Sequence, residues 1–196
     1  MERVIDSQSD GLLAAFLEFD VLTARLASAP PAPTDIGRVC LIVTRHPGGR
    51  RELLERATMT PESGMPGDSW GRQRRPSPEA QLAVMQFNVA ELIANGQPLE
   101  LSGDQLYLDL DLSESNLPAG TRLRVGTATL EVTPMPHNGC RKFRARFGEG
   151  ALRLVSAPEL RHLNLRGIYL RVAETGDIAV GDPIHVLSRP QQRRAG

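Results

Sequence analysis

The chain contains almost no lysine: Lys142 is the one exception among 23 basic residues, and all the others are arginine. The 23 acidic residues balance them, so the formal net charge at pH 7 is zero. A neutral chain has no global field that attracts nucleic acid or an anionic membrane, so any basic site must be local. Arginine suits bidentate recognition of phosphate or carboxylate, although an arginine-rich composition is equally a product of genomic base usage.

Cysteine is also scarce. Cys40 and Cys140 lie far apart, without CxxC or CxxH spacing, which argues against a disulfide framework and against a structural zinc site. We therefore expect at least one free thiol. The opening MERVIDSQSD lacks the pattern of a secretory signal, and no apolar run approaches the roughly 20 residues that span a bilayer. These features predict a cytoplasmic location without membrane insertion.

The recognisable signatures of several enzyme classes are absent. The chain has no GxSxG elbow, no Walker phosphate loop, no HExxH helix and no GxGxxG element. Its 196 residues fit one domain with a core and a cleft. Any chemistry must therefore come from a local cluster of residues.

The segment PHNGCRKFRARFG is the strongest candidate for that cluster. A cysteine serves sulfur chemistry as the thiolate, and nearby cations lower its pKa and favour that form. His137 lies shortly before Cys140, and Arg141 and Lys142 directly follow it. Gly139 lacks a side chain that would screen the approach of a large partner. This pattern indicates a sulfur or metal site at Cys140.

A plainer interpretation fits the same segment. The thiol is then inert, and the basic residues form the solvated face of an extended strand whose Phe143 and Phe147 face the core. Phosphate binding and plain solvation both suit that basic face, which comprises Arg141, Lys142, Arg144 and Arg146. His137 would act as an acid, a base or a thiolate partner in the first interpretation, and would cap a turn in the second.

The segment GMPGDSWG and the RQRRPS run that follows it form a second candidate region. Asp68 either binds a ligand or holds the loop through backbone amides. Trp70 either lines a cleft for a flat ligand or closes the core. The run that starts at Arg72 precedes a predicted helix start at Ser77, where backbone amides and the helix dipole favour an anion such as phosphate.

The spacing of apolar residues predicts an N-terminal helix from Gly11 to Ala29, with Asp10 as its cap. Its apolar face packs either on the main body or on a partner subunit, and the second arrangement would make a homodimer. The PPAP run at residues 30–33 then predicts an extended linker.

After the linker, GRVCLIVT predicts a first barrel strand with Cys40 buried in the core. Residues 45–75 are rich in glycine, proline and charge, which predicts a long functional or disordered loop. A second helix is predicted from Ser77 to Asn95. Further strands are predicted at Gln105 to Asp111, Arg122 to Val125, Ala128 to Thr133, Ile168 to Val172 and Pro183 to Leu187.

These segments predict a mainly β fold of the α+β class: a small, mostly antiparallel β-barrel with a few peripheral helices and an N-terminal helical extension. The predicted organisation is an N-terminal helix and linker at residues 1–33, a barrel domain at 34–190 and a disordered tail at 191–196.

The C-terminal half resembles a MOSC domain, the module named for the C-terminus of molybdenum-cofactor sulfurases. The resemblance rests on HNGCRKFRARFG, LNLRGIYLRV and ETGDIAVGDPIHVL, with GMPGDSW and LDLDLSESNLPAGTRLRVG upstream in the expected order. It covers about Asp35 to Ser188 and implies a β-barrel fold. It also implies that Cys140 either carries sulfur as a persulfide or binds the molybdenum of a pterin cofactor.

The same resemblance implies roles for other residues. The basic surroundings of the thiol correspond to Arg141, Lys142 and Arg144, as contacts for the pterin phosphate or a sulfur donor, with His137 flanking the thiol. Further contacts are expected in the walls of the same cleft, at Asp68, Trp70 and Arg72.

Two departures from the larger members of the family shape the expected function. The pyridoxal-phosphate desulfurase unit is missing, so we do not expect pyridoxal phosphate to bind this chain. The additional N-terminal barrel of amidoxime-reducing relatives is also missing. We therefore expect a partner: a sulfur donor such as a cysteine desulfurase for sulfur transfer, or an electron-transfer protein for molybdenum-dependent reduction of N-hydroxylated compounds. A partner-binding module with an incidental Cys140 is the third hypothesis.

Overall fold

The structure is a computed structural model that describes residues 16–190. Within this range the chain forms three α-helices: α1 (Phe19–Ser28), α2 (Phe87–Ala94) and α3 (Arg141–Ser156). The strands of the same range are β1 (Ile36–Arg45), β2 (Arg51–Leu53), β3 (Arg56–Met59), β4 (Leu82–Gln86), β5 (Leu106–Asp109), β6 (Arg122–Val125), β7 (Ala128–Val132), β8 (Ile168–Glu174), β9 (Gly176–Ala179) and β10 (Pro183–Ser188).

Seven strands close into a mixed β-barrel in the order β10, β6, β7, β8, β4, β5 and β1, and β1 pairs back onto β10. Every neighbouring pair is antiparallel except β4 and β5, which run parallel. Strand β2 extends the sheet from the end of β1, and β3 pairs with β9 in a separate two-stranded sheet. The predicted small barrel with peripheral helices is confirmed.

Two apolar clusters lie on opposite sides of the barrel wall. Leu106 and Leu108 of β5 point into the barrel, whereas Tyr107 between them points outward against the helices. The outer cluster is completed by Leu22 of α1 and Phe143 of α3. Because side chains alternate along a strand, a wall covered by helices buries consecutive residues, and such strands have continuous apolar sequences.

Strand β4 is an example, and the helix predicted from Ser77 is wrong over its first half. Pro78–Ala80 form a short 3₁₀ turn, and Leu82–Gln86 form a barrel strand. The helix begins only at Phe87. The run LAVM is buried on both faces, so its sequence has no period that separates strand from helix. The predicted end of this helix is confirmed, because Asn95 adopts a left-handed conformation with φ of 45°.

The basic segment after Cys140 is helical, and the predicted extended strand is wrong. Phe143 and Phe147 are both buried, and their spacing of one helical turn places them on the same face of α3. Gly148 has a φ of 86°, which interrupts the helix and turns its second part in a new direction. The first part of α3 therefore ends at a sharp corner.

The N-terminal helix packs on the body of the protein, as one of the two alternatives predicted. Helix α1 begins at Phe19 rather than earlier, since Phe16, Leu17 and Glu18 are not helical. Leu22 is fully buried in the outer cluster, and the guanidinium of Arg153 on α3 lies 4.6 Å from the ring centre of Phe19. The predicted start at Gly11 and its Asp10 cap lie outside the described residues, as does the tail at 191–196.

Two smaller corrections concern the first strand and the loop after it. Cys40 is only half-buried rather than a core residue, because the pairing of β1 with β5 shifts register between Val39 and Leu41 and leaves Cys40 at a bulge. The predicted loop at residues 45–75 contains β2, β3 and short 3₁₀ turns. No helix in the described part of the chain is long and apolar enough to cross a membrane.

Candidate functional site

A cavity of about 350 Å³ opens beside Cys140, between the end of β1, strand β2, the Leu99–Ser102 turn and the start of α3. Its lining contains five cationic side chains and, among the described residues, no carboxylate. The lining residues are Arg45, His46, Gly49, Arg51, Ser69, Ala83, Ser102, Gly103, His137, Cys140, Lys142, Phe143, Arg146, Arg166 and Tyr169.

Cys140 is the residue that caps the N-terminus of α3, where its carbonyl accepts the first helical hydrogen bond from the amide of Arg144 at 3.0 Å. Its thiol makes no capping hydrogen bond and is exposed. The preceding Gly139 packs against the second part of α3, where an added Cβ would lie 2.6 Å from the Leu152 side chain. Gly139 therefore fits the segment against its own helix, rather than clearing a path to the thiol as the sequence suggested.

Three arginines converge on Gly103 at one end of this cavity. Arg45 donates a hydrogen bond to the Gly103 carbonyl at 3.2 Å. A Cβ built on Gly103 would lie 3.5 Å from Arg51 Nη2 and 3.6 Å from Arg146 Nη1. Burial, together with the charges of Arg146 and Arg45, lowers the pKa of Arg51. Like charges at such close range favour an anion between them.

Arg51 and Arg146 have no carboxylate partner within residues 16–190. Arg51 donates to the carbonyls of Gly49 and Arg50, and its Nε is buried without any hydrogen-bond partner. Arg146 donates to the Leu101 carbonyl at 2.8 Å. Their charges therefore remain uncompensated at the cavity.

Arg45, by contrast, is held by a buried carboxylate. Asp68 accepts hydrogen bonds from Nε and Nη2 of Arg45 at 3.0 and 2.8 Å, and from the backbone amides of Arg45 and Trp70. Burial alone would raise the pKa of Asp68, but these bonds outweigh it and keep the pKa below its usual value. The carboxylate is fully enclosed and fixes the loop and Arg45.

A second buried carboxylate holds Arg166. Asp104 accepts two hydrogen bonds from Arg166 Nη1, at 3.0 and 2.9 Å, and one from the Ser102 hydroxyl at 2.5 Å. Arg166 also donates to the Ser102 carbonyl, and its guanidinium lies 4.8 Å from the ring centre of Phe143. Burial opposes ionisation of Asp104, but the Arg166 charge prevails and its pKa is lowered. This pair joins the barrel to the base of the cavity.

His137 lies against this pair and is uncharged at neutral pH. Burial, followed by the positive charge of Arg166, lowers its pKa to about 3, although Asp104 acts in the opposite direction. Its Nδ1 is 3.6 Å from Asp104, too long for a hydrogen bond, and has no other partner among the residues that the structure describes. A neutral imidazole does not supply the cation that would stabilise a thiolate at Cys140.

Tyr169 is a cavity residue that the sequence did not single out. Its ring stacks on His137 with centroids 4.3 Å apart. Its hydroxyl makes no hydrogen bond to any residue of the described range, and it faces the same cavity as Cys140. Burial is the main cause of its raised pKa; the charge of Asp104 adds to it, while that of Arg166 opposes it. The phenol is therefore protonated and available as a donor.

The structure separates the predicted site residues into two groups. Cys140, His137 and Lys142 line the cavity. The predicted cofactor contacts Arg141 and Arg144 are exposed on α3 outside the lining, and Arg144 pairs with Glu149 at 2.6 Å.

The upstream candidates also lie outside the lining. Arg72 is exposed and donates to the Gly67 carbonyl at 2.7 Å. Trp70 is buried, and its indole N–H donates to the Ser77 carbonyl at 2.9 Å, so it closes the core. Asp68 binds Arg45 and the amide of Trp70 from outside the cavity, as the loop-holding interpretation predicted. Only the 3₁₀ turn Pro78–Ala80 follows Ser77, so the anion site predicted there lacks the N-terminus of an α-helix.

The residues that sequence reasoning missed are mostly arginines at strand and turn ends. Arg45 closes β1, Arg51 opens β2, and Arg166 lies within LNLRGIYL just before β8. Arg146 belongs to the basic run, for which phosphate binding was one of two interpretations, but it was not among the expected cofactor contacts. In a chain with 22 arginines no sequence signal separates these from the others.

The chain matches the model of the MOSC domain over residues 78–185, more than half of its length. It belongs to the MOSC domain family. The family is linked to molybdenum-cofactor sulfurase-type chemistry. No curated protein matches the chain.

Solved structures of MOSC proteins share the fold. YuaD from Bacillus subtilis is 15% identical with a TM-score of 0.56, and the match covers 76% of this chain and 94% of YuaD. YiiM from Escherichia coli is 22% identical with a TM-score of 0.52, and the match covers 78% of this chain and 70% of YiiM. At these identities the likeness shows the barrel architecture alone.

The cavity also suits the group with which the MOSC family is associated. The described residues include no cluster of three His, Cys, Asp or Glu side chains, so they form no protein-only metal site. One exposed thiol beside an arginine cluster instead suits a metal that arrives within an anionic cofactor, because thiolate is a soft ligand and guanidinium matches phosphate.

Proposed function

We propose that this MOSC protein binds a molybdenum pterin cofactor in the Cys140 cavity, with the Cys140 sulfur as a ligand to the metal. The observation that carries the proposal is the presence, in one cavity, of an exposed thiol and two arginines, with no lining carboxylate and no ion-pair partner for these arginines among residues 16–190. The thiol accounts for the metal, and the arginines account for the negative charge of the cofactor.

The arginine cluster supplies the anion-binding end of the cavity. Arg51 and Arg146 would hold the cofactor phosphate, and the Nε of Arg51 is a buried donor without a partner. Arg45 stays in place through Asp68 and adds a third positive charge. Lys142, on the first turn of α3, lines the same space. Guanidinium groups bind phosphate through paired hydrogen bonds, which also orients the bound group.

The remaining residues position the site and handle protons. Tyr169 holds a proton on a hydroxyl that has no partner in the described structure and that shares the cavity with Cys140. His137 packs against Tyr169 as a neutral ring and helps to exclude water from the Arg166 and Asp104 pair. When bound, the cofactor would supply two-electron redox chemistry at the metal, which suits the reduction of N-hydroxylated compounds with electrons from a partner protein.

A second function has an observation of its own. The thiol of Cys140 is exposed at the end of a helix, where a separate sulfur donor such as a cysteine desulfurase can reach it. In this alternative the Cys140 thiolate attacks the donor sulfane sulfur, becomes a persulfide and releases the donor thiol. An acceptor thiolate then attacks the outer sulfur, becomes a persulfide itself and releases the Cys140 thiolate.

The two functions are separated by what the purified protein carries. The protein is produced in cells that synthesise molybdenum cofactor and is analysed for molybdenum, while intact-mass spectrometry reports any additional sulfur on Cys140. The cofactor proposal predicts molybdenum near one atom per chain that is lost in Cys140→Ser and retained in Cys40→Ser, the matched control. A labile sulfur adduct on Cys140 without molybdenum supports the carrier instead. Protein with neither, and with unchanged partner binding in Cys140→Ser, supports an interaction module.

A further inference from the structure

A second cavity, of about 410 Å³, lies on the far side of His137 from the thiol. It is formed by the segment before Cys140, the end of α3 and the 3₁₀ turn Pro158–Leu163 with the residues that follow it. Its size falls in the range of small-molecule sites. Its lining residues are Pro136, His137, Asn138, Val155, Ser156, Arg161, Asn164, Leu165 and Arg166.

The two cavities share one wall. His137 and Arg166 line both of them, whereas Cys140, Arg51 and Arg146 line only the first. Each shared residue has a buried polar atom that finds no hydrogen-bond partner in the described part of the chain, namely His137 Nδ1 and Arg166 Nε. Both side chains are only 7% exposed, so bulk water does not reach these two atoms to form the missing hydrogen bonds.

The second cavity differs from the first in its chemistry. Arg161 forms no ion pair with any described residue and is its one cation without a carboxylate, since Arg166 is bound to Asp104. Asn138, Asn164 and Ser156 add neutral polar groups, while Val155 and Leu165 provide an apolar side. A guanidinium binds carboxylate and phosphate alike, but a single free one beside an apolar surface suits a ligand with one negative charge and an apolar body.

Hydrogen bonds fix the main chain at Arg161, whereas its side chain is exposed. The amide of Asn164 donates to the Arg161 carbonyl at 3.1 Å, and the Asn164 side chain donates to the Leu112 carbonyl at 2.9 Å. A smaller adjoining cavity of about 210 Å³ shares Arg161 and Asn164 and adds Glu114, which makes no ion pair with Arg161. The guanidinium therefore remains available to a ligand.

We propose that this second cavity is a binding site for a small organic monocarboxylate, with the carboxylate on Arg161 and the apolar body against Val155 and Leu165. The site is distinct from the thiol cavity and does not depend on what Cys140 carries. A ligand in the second cavity contacts His137 and Arg166, and these two residues also line the first cavity.

The test uses phenylacetate as the probe and its neutral isostere phenylacetamide as the comparison, measured by calorimetry and by amide shifts in NMR spectra. The wild-type chain is expected to bind phenylacetate saturably with a Kd of about 1 mM. Phenylacetamide is expected to bind about tenfold more weakly or worse. The largest shifts are expected at Asn138, Ser156 and Asn164.

Variants locate the probe. Arg161→Gln is expected to weaken phenylacetate binding by about tenfold or more, whereas Arg171→Gln, an exposed arginine of the barrel wall, is expected to leave it unchanged. Ser156→Phe fills the cavity from an exposed position and should abolish binding. The proposal is overturned if phenylacetate does not saturate, if Arg161→Gln binds as the wild type does, or if Arg146→Gln rather than Arg161→Gln removes binding. The last result would place the carboxylate in the thiol cavity.

Discussion

Two kinds of arginine surround the thiol cavity. Arg45 and Arg166 each bind a carboxylate that is completely enclosed, Asp68 and Asp104 respectively. Arg51 and Arg146 lie next to one another over Gly103, and neither has a carboxylate in the described structure. The first kind is part of the fold, because a buried charge requires its partner. The second kind is held at an electrostatic cost, and for this reason we propose an anionic ligand as its partner.

The largest expected effect on stability comes from the arginines that bind a buried carboxylate, Arg45 and Arg166. Asp104→Asn leaves Arg166 buried beside a neutral group, and we expect the free energy of unfolding to fall by about 3–5 kcal/mol. For a chain of this size such a loss lowers Tm by roughly 10 °C. Chemical denaturation followed by circular dichroism measures the change.

The control is a surface pair of the same residue types. Arg38 and Asp109 form an ion pair at 3.3 Å, but their side chains are 66% and 36% exposed. Asp109→Asn should therefore cost at most about 1 kcal/mol. Equal losses in the two variants would contradict the special position of the Asp104 pair.

An intermediate effect is expected from His137, which touches the anchored pair. Its pKa is about 3 in the folded protein and about 6.5 in an unfolded chain. Between these values the unfolded state binds one more proton, so stability declines as the pH falls below about 6.5. We expect a loss near 2 kcal/mol between pH 7 and pH 5 from this residue alone.

His137→Phe keeps an aromatic ring on Tyr169 and removes the titrating group, so it should flatten the stability profile between pH 7 and pH 5. Asp68 and Asp104 add no pH dependence to the stability in this window. Their folded pKa values are lowered, so their contribution is lost only below about pH 4, as they take up protons. A variant that keeps the wild-type slope would show that His137 is charged in the folded protein.

The smallest effect on stability is expected at the unpaired arginines. Arg51→Gln and Arg146→Gln relieve repulsion between like charges, so the free energy of unfolding should stay the same or rise by about 0.5 kcal/mol. Their effect should instead appear in anion binding. Inorganic phosphate, measured by calorimetry, should bind at least about tenfold more weakly to both variants.

Arg144→Gln is the matched control on α3, because Arg144 pairs with Glu149 and does not line the cavity. It should leave phosphate affinity unchanged. If the Arg51 and Arg146 variants were strongly destabilised, or bound phosphate as well as this control, the distinction between the two kinds of arginine would fail.

Much of the barrel was predictable from the chain itself. Strands β1, β6, β7, β8 and β10 have β-rich sequences between turn residues, and such local patterns report local conformation. Strand β4 was not predictable because both of its faces are covered, which erases the alternation that distinguishes a strand. The helix after Cys140 was mistaken for a strand because its two buried phenylalanines, one turn apart, also suit an alternating pattern.

By itself, the sequence determined the family and the barrel and made the segment around Cys140 the candidate site, since these rest on patterns contiguous in the chain. Only the tertiary structure decided which arginines share the cavity and which are anchored. Arg45, Arg51, Arg146 and Arg166 come from four different elements, and their meeting depends on closure of the barrel and on the corner of α3. Whether a charge is paired depends on distance in space, and sequence separation carries no information about that distance.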